Sequence, residues 1–226
     1  MIRFDDSFQD QWTNALPILQ QYGFKASFAT IAGFLTNDGI SSALTDAYER
    51  MSWQEVQWLY ANGFQIMDHT MTHPDLDQIP ASQLYTEVVG SRQLFNSHGI
   101  PNSSVMEIAL PYGSGADNQT LLNYLFNAGY KYVDTAWGVP GLLNYNTIQT
   151  QWIGIDAADN DLSLAQFESY ASMASSTFAV GFMFHHVNDH VSDTTYYVNV
   201  SSFAQDMAYL YSAGYTVIVP MQLPGY

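Results

Sequence analysis

Residues 52–74 read Ser-Trp-Gln-Glu-Val-Gln-Trp-Leu-Tyr-Ala-Asn-Gly-Phe-Gln-Ile-Met-Asp-His-Thr-Met-Thr-His-Pro. Ser52 followed by Glu55 is a capping-box start. Trp53, Val56, Leu59 and Tyr60 then fall at helical spacing, which predicts a helix through Asn62. Gly63 supplies a stop, because glycine accepts the left-handed conformation that ends helices. Phe64–Met67 is an apolar run of strand length. The unit is therefore helix, glycine, strand, and then polar residues at the strand's C-terminal end: Asp68, His69 and, four residues on, His73.

The same unit recurs on both sides. Ile2–Phe4 reads as a strand, Gln11–Tyr22 as a helix stopped by Gly23, and Ala26–Ile31 as a strand. Further along come a helix over Ala81–His98 with Gly99, a strand over Ser104–Ala109, a helix over Asn118–Ala128 with Gly129, and a strand over Tyr130–Asp134. Thr147–Ile155 reads as a strand, Leu164–Ala174 as a helix capped by Ser163, and Phe178–His185 as an apolar strand. Val200–Ala213, closed by Gly214, and Tyr215–Pro220 read as a last helix and a last strand. Repeated αβ connections imply a mainly parallel sheet. The expectation is one α/β domain over residues 1–226, a closed or distorted (β/α) barrel of about seven parallel strands. A doubly wound open sheet is the alternative, weakened by the absence of either Gly-rich phosphate fingerprint.

Composition narrows the partners. The 226 residues carry 5 Lys and Arg against 21 Asp and Glu, a net charge of −16. Such a surface repels nucleic acid and anionic lipid. No window is long and apolar enough to predict a membrane span. Met1-Ile2-Arg3-Phe4 already reads as strand, so no export leader is expected there. The absence of Cys excludes thiolate metal sites and a Cys nucleophile. A surface rich in Tyr, Ser, Asn and Gln, with sequons at Asn102, Asn118 and Asn199, suits an extracellular or cell-surface protein handling carbohydrate. Few basic groups beside many carboxylates also suit an acidic setting, where carboxylates neutralise without leaving positive self-repulsion. Nothing in the pattern specifies an oligomeric state.

Polar residues gather where the strands end, and a parallel barrel carries its site on that rim. They are Asp5-Asp6, Asp68-His69 with His73, Pro111-Tyr112-Gly113, Asp134 and His185-His186. His69 and His73, spaced i, i+4, would share one face of a helical turn and could hold one metal ion, or could be surface and capping histidines. Adjacent carboxylates at Asp5-Asp6 are costly to bury unless a cation shares the site. One of the pair could then bind a metal while the other accepts a proton, or both could open the first helix as an acidic surface turn. His185, closing a buried strand, could act as a general acid.

In this order these residues resemble the polysaccharide deacetylase family, the NodB-homology domain. Phe4-Asp5-Asp6 is similar to its first motif, Thr-Phe-Asp-Asp, with Arg3 in place of Thr. The His69-Thr70-Met71-Thr72-His73 run resembles the second, Pro111-Tyr112-Gly113 the end of the third, Arg-x-Pro-Tyr-Gly, and Met183-Phe184-His185 the last, Leu-x-His. The resemblance implies a distorted (β/α) barrel that removes N-acetyl groups from a carbohydrate polymer or oligosaccharide. It implies a metal, usually zinc, on Asp6, His69 and His73, with Asp5 as base. The N–H of Tyr112 would help hold the oxyanion, and His185 would protonate the leaving amine. Pro111 and Trp137 would meet substrate, and Asp134, in a loose echo of the fourth motif, would support His185. One departure stands out: the third-motif arginine, which orients the base in many members, falls at Ala109. An O-acetyl esterase or small-amide hydrolase on the same site, and a catalytically weak carbohydrate-binding or surface protein, are the rival readings.

Overall fold

In the computed structural model the described residues are 1–35, 48–135, 162–189 and 196–223, with the strand segments 141–144, 152–154 and 156–157. The sheet is built from β1 (Ile2–Phe4), β2 (Ser27–Thr30), β3 (Gln65–Asp68), β4 (Glu107–Ala109), β5 (Tyr132–Thr135), β6 (Gly141–Asn144), β7 (Trp152–Gly154), β8 (Asp156–Ala157) and β9 (Phe178–Phe184). Seven of these run parallel side by side in the order β9-β1-β2-β3-β4-β5-β7. β7 pairs with β5 at one end of that path, and β8, one residue later, pairs with β9 at the other. The sheet therefore curls back on itself, as a distorted barrel. β6 adds an antiparallel partner to the start of β9, and a small parallel ribbon joins β10 (His186–Val187) to β11 (Tyr197–Val198).

Alternation along the strands separates two interiors. Ile2 and Phe4 point outward into an apolar layer, where Phe4 stacks on Phe28 at 5.1 Å and meets Phe184 and Phe203. That layer is closed by α1 (Leu16–Tyr22), α2 (Trp53–Ala61), α6 (Leu164–Ala171) and α7 (Val200–Ser212), with a second apolar cluster under α5 (Gln119–Asn127). Burying a large side chain such as Phe4 contributes on the order of 2–3 kcal/mol. Arg3, between them, points the other way. Its bond to Asp134 runs from β1 to β5, strands separated by three others in the sheet, so both side chains lie inside the barrel. Ser27, Gln65, Glu107 and Asp134 are buried there as well.

The expected caps are present: Ser52 with Glu55 and Ser163 with Gln166 each form a capping box. Two expected helices contain π-wound stretches, Gln11–Ala15 ahead of α1, and Tyr85–Gly90 between α3 (Ala81–Leu84) and α4 (Ser91–Ser97). The expected last strand over Tyr215–Pro220 does not form, because β9 already has partners on both sides and offers no open edge. The segment instead runs beneath the barrel, where the Met221 N–H donates to Gln65 Oε1 at 2.9 Å. Among the described residues no helix is long and apolar enough to cross a membrane.

Candidate active site and metal centre

The strand ends deliver the sequence candidates to one rim. Asp5 and Asp6 follow β1, His69 follows β3, Pro111-Tyr112-Gly113 follow β4, and His185 follows β9. The Asp5 N–H donates to the Phe184 carbonyl at 2.9 Å, tying the end of β1 to the end of β9. Gln11, in the first π-wound stretch, donates through Nε2 to the carbonyls of Asp5 (2.5 Å) and His185 (3.0 Å), so one side chain fixes both ends.

Asp6, His69 and His73 offer ligand atoms that all lie within 4.8 Å of one another. Asp6 Oδ1 is 3.4 Å from His69 Nε2 and 3.3 Å from His73 Nε2, and the two Nε2 atoms are 3.1 Å apart. His69 Nδ1 lies 2.8 Å from the Ala109 carbonyl, which fixes its proton there and turns the Nε2 lone pair toward Asp6. Asp6 Oδ1 is buried and accepts no well-formed hydrogen bond. Two imidazole nitrogens and a carboxylate oxygen aimed at one another, with an orphaned acceptor among them, are a donor set that fits a divalent metal such as zinc. The carboxylates draw positive charge to this spot: against the downward push of burial, Asp6 and Asp5 raise His69 above the usual imidazole value. Against the upward push of burial, His69, His185 and His73 hold Asp6 well below the usual carboxylate range. Burial, then the neighbouring His69, lowers His73 to about 4, so its imidazole is neutral and able to ligate.

The i, i+4 spacing does not act through a helical turn, as the sequence suggested. Residues 69–73 form a loop with Thr70 (φ 69°) and His73 (φ 62°) in the left-handed region. Its shape is set by side chains: the Thr70 N–H donates to Asp68 Oδ1 (2.8 Å) and the His73 N–H to Thr70 Oγ1 (2.9 Å). Glu87, from the second π-wound stretch, accepts from the Thr72 N–H (2.9 Å) and hydroxyl (2.8 Å). On the other side Gly33 donates to the Met71 carbonyl at 2.9 Å; a Cβ there would sit 2.4 Å from that oxygen, so only glycine fits. Gln11 and Glu87 escaped the sequence reading, since a side chain that braces a distant loop leaves no local pattern.

Asp5 lies below this rim, buried against Arg3. Arg3 Nε is 2.8 Å from Asp5 Oδ1, Nη2 donates to Asp5 Oδ2 at 2.8 Å, and Nη1 donates to Asp134 Oδ2 at 3.0 Å. Asp134 was expected to support His185. Its described partner is Arg3, so it braces the Asp5 side of the site instead. His185 Nε2 lies 3.9 Å from Asp6 Oδ2, and its ring meets Tyr196 at 5.1 Å. Tyr112 has φ 59°, and its exposed ring stands edge-on to His73 at 4.8 Å. A cavity of about 340 Å³ opens beside Asp6, His73 and Tyr112, walled by Phe8, Arg50 and His186. His186 is held by Asp10 at 2.6 Å and stacked on Phe8 at 3.6 Å. Pro111 is buried under the Tyr112 turn, and Trp137 lies outside the described residues.

Comparison with known proteins converges on one family. The family model described as Polysaccharide deacetylase matches residues 1–133. The chitooligosaccharide deacetylase of Sinorhizobium fredii (strain NBRC 101917 / NGR234) is 26% identical over 147 residues, 62% of this chain and 60% of that protein. The Bacillus subtilis (strain 168) protein YxkH, which carries a polysaccharide deacetylase name, is 25% identical over 131 residues, 58% of this chain and 42% of its own length. The matches thus cover less than two thirds of these relatives. Among solved structures, the family 4 carbohydrate esterase from Streptomyces lividans in complex with acetate superposes with a TM-score of 0.61 at 16% identity, covering 98% of this chain and 93% of that one.

Proposed function

The chain belongs to the polysaccharide deacetylase family, and from that premise we propose that it hydrolyses N-acetyl groups of N-acetylglucosamine-containing polysaccharide. The observation that carries this reading is the convergence of Asp6, His69 and His73, with Asp5 behind them and His185 across from them. A divalent metal such as zinc, held by those three residues, would supply Lewis acidity to the acetyl carbonyl and to water. Asp5, fixed by Arg3 and acceptor-only when ionised, takes the proton from the attacking water. The Tyr112 N–H, presented by a left-handed turn, stabilises the oxyanion. His185, on the far side of Asp6, delivers a proton to the departing nitrogen, so the products are acetate and a free amino sugar. The cavity beside the site takes the sugar ring, with the exposed Tyr112 as an aromatic wall. A polymer of this kind is met outside the cell, and an extracellular or cell-surface location goes with the reading.

The test is acetate release from N-acetylglucosamine oligomers, with and without zinc, for the wild type and Asp5→Asn. Metal-dependent release that the substitution abolishes is the expected result. No release from chitin-like, poly-N-acetylglucosamine and peptidoglycan substrates by zinc-loaded protein would overturn the reading, and release from O-acetylated sugars alone would move it to an esterase.

A further inference from the structure

Two of the departures from the family motifs concern arginine: Arg3 where the first motif has Thr, and Ala109 where the third has Arg. In the fold they face one interior. Ala109 pairs in register with Asp134 on the adjacent strand, and Asp134 is the residue that Arg3 reaches from across the barrel. We propose that the two departures are one exchange: Arg3, from β1, is the positioning residue that holds Asp5, in place of an arginine on β4.

The geometry favours this over a purely structural role. A guanidinium fully inside a barrel is costly unless its charge and its N–H groups are matched. Arg3 is matched in a directed way: Nη2 donates to Asp5 Oδ2 at 2.8 Å, and Nε stands 2.8 Å from Asp5 Oδ1 as an ion-pair contact without a well-formed hydrogen bond. One hydrogen bond on Oδ2 together with a charge contact on Oδ1 restrains the rotation of the carboxylate as well as its position. The third N–H group, on Nη1, is spent on Asp134, which fixes the guanidinium in turn. Burial, then Glu107 nearby, pushes Asp134 above the usual carboxylate range, and Arg3 pulls against that rise. Ala109 completes the arrangement: packed with Ala29 and Met67, it is small enough to leave the interior to the Arg3 side chain. Arg3 touches neither Asp6 nor the two histidines, so it acts on the reaction only through Asp5.

This inference rests on the deacetylase reading, in which Asp5 is the base, and its test separates the two. Arg3→Thr is expected to lower kcat for acetate release by about 100-fold, the upper end for a group that orients a catalytic one. KM and zinc affinity stay within about threefold, because the metal ligands and the cavity are untouched. Arg3→Thr combined with Ala109→Arg, which writes both motifs as the family has them, recovers at least tenfold in kcat. Crystal structures of the variants supply a readout apart from activity: the Asp5 carboxylate turns away in Arg3→Thr and returns in the double variant. Unchanged kcat in Arg3→Thr, a parallel loss of zinc affinity, or an Asp5 carboxylate that stays in place would each overturn the proposal. If Arg3→Thr does not fold, Arg3→Lys decides, since one ammonium cannot hold both Asp5 oxygens and Asp134; a wild-type kcat there also overturns it. Should the wild type release no acetate, the deacetylase reading fails, while the position of Asp5 still reports on Arg3.

Discussion

The proposed site has two halves built on different plans, the candidate metal donors and the candidate base. The metal half, Asp6 with His69 and His73, sits at the rim, where Asp6 and His73 remain partly open to solvent and the donor atoms face one another. The base half, Asp5 with Arg3 and Asp134, is shut inside the barrel, each side chain committed to a partner. The first is a cluster of converging donors carried on loops; the second is a closed ion network carried on strands. The difference teaches that a metal site needs convergence with its donors left unspent, whereas a general base needs immobility, and that one strand end can serve both by placing Asp5 inward and Asp6 outward.

The largest expected effect strikes the metal half alone. Dialysis against a chelator should take acetate release to the uncatalysed background, and zinc should restore it. Release that persists in metal-free protein would dissolve the comparison, since both halves would then belong to a metal-independent site. Next is Asp5→Asn, which strikes the base half alone. A loss of about 10³-fold in kcat is expected, within the range for general base catalysis, with zinc affinity, followed by titration calorimetry, close to that of the wild type. A matching fall in zinc affinity would show that the halves are not separate.

A smaller effect tests the scaffold of the metal half. Glu87 braces the His69–His73 loop through Thr72 and contacts no ligand atom. Glu87→Ala should weaken zinc binding by roughly tenfold, at the low end for loss of an outer support, while leaving kcat at saturating zinc near the wild-type value. An unchanged zinc affinity would locate the loop's stability elsewhere, in the backbone contacts from Ala32 and Gly33.

The metal half was largely legible in the sequence, because its residues announce themselves by chemistry and short spacing at strand ends. Even so, the geometry behind His69 and His73 was not the helical turn their spacing suggested, since Thr70, Asp68 and Glu87 override the periodicity with side-chain bonds. Strands and caps read well for the same local reasons: Ser52 with Glu55, and Ser163 with Gln166, need only their own neighbours. In the base half Asp5 was read from its motif, but the residue that holds it was hidden. Arg3 sits between Ile2 and Phe4 in what reads as an ordinary apolar strand, and its partner Asp134 is 131 residues away. Tyr215–Pro220 failed as a strand for a related reason: its composition suits a sheet, but β9 has no free edge, and edge availability belongs to the whole topology.

The smallest effect comes from a buried carboxylate that contrasts with both halves. Asp206 on α7 is buried, and among the described residues it has no hydrogen-bond or ion-pair partner; burial alone raises it from 3.8 to about 7. Asp5 shares the burial but has Arg3. Because the folded value of Asp206 lies above the unfolded one, the folded chain holds this proton more tightly. Its ionisation therefore costs nothing below about pH 4, costs more as the pH rises from 4 to 7, and reaches its full cost above 7. Asp206→Asn keeps the shape and removes the charge. It should leave stability near pH 4 unchanged and raise it at pH 8 by about 1–3 kcal/mol, below the roughly 4 kcal/mol that three pKa units represent, since the adjoining cavity of about 180 Å³ admits solvent. Urea unfolding at the two pH values measures this directly. The same increment at both would mean that the substitution acts through packing, and that an unpartnered buried carboxylate is tolerated here without the counter-charge that Asp5 has.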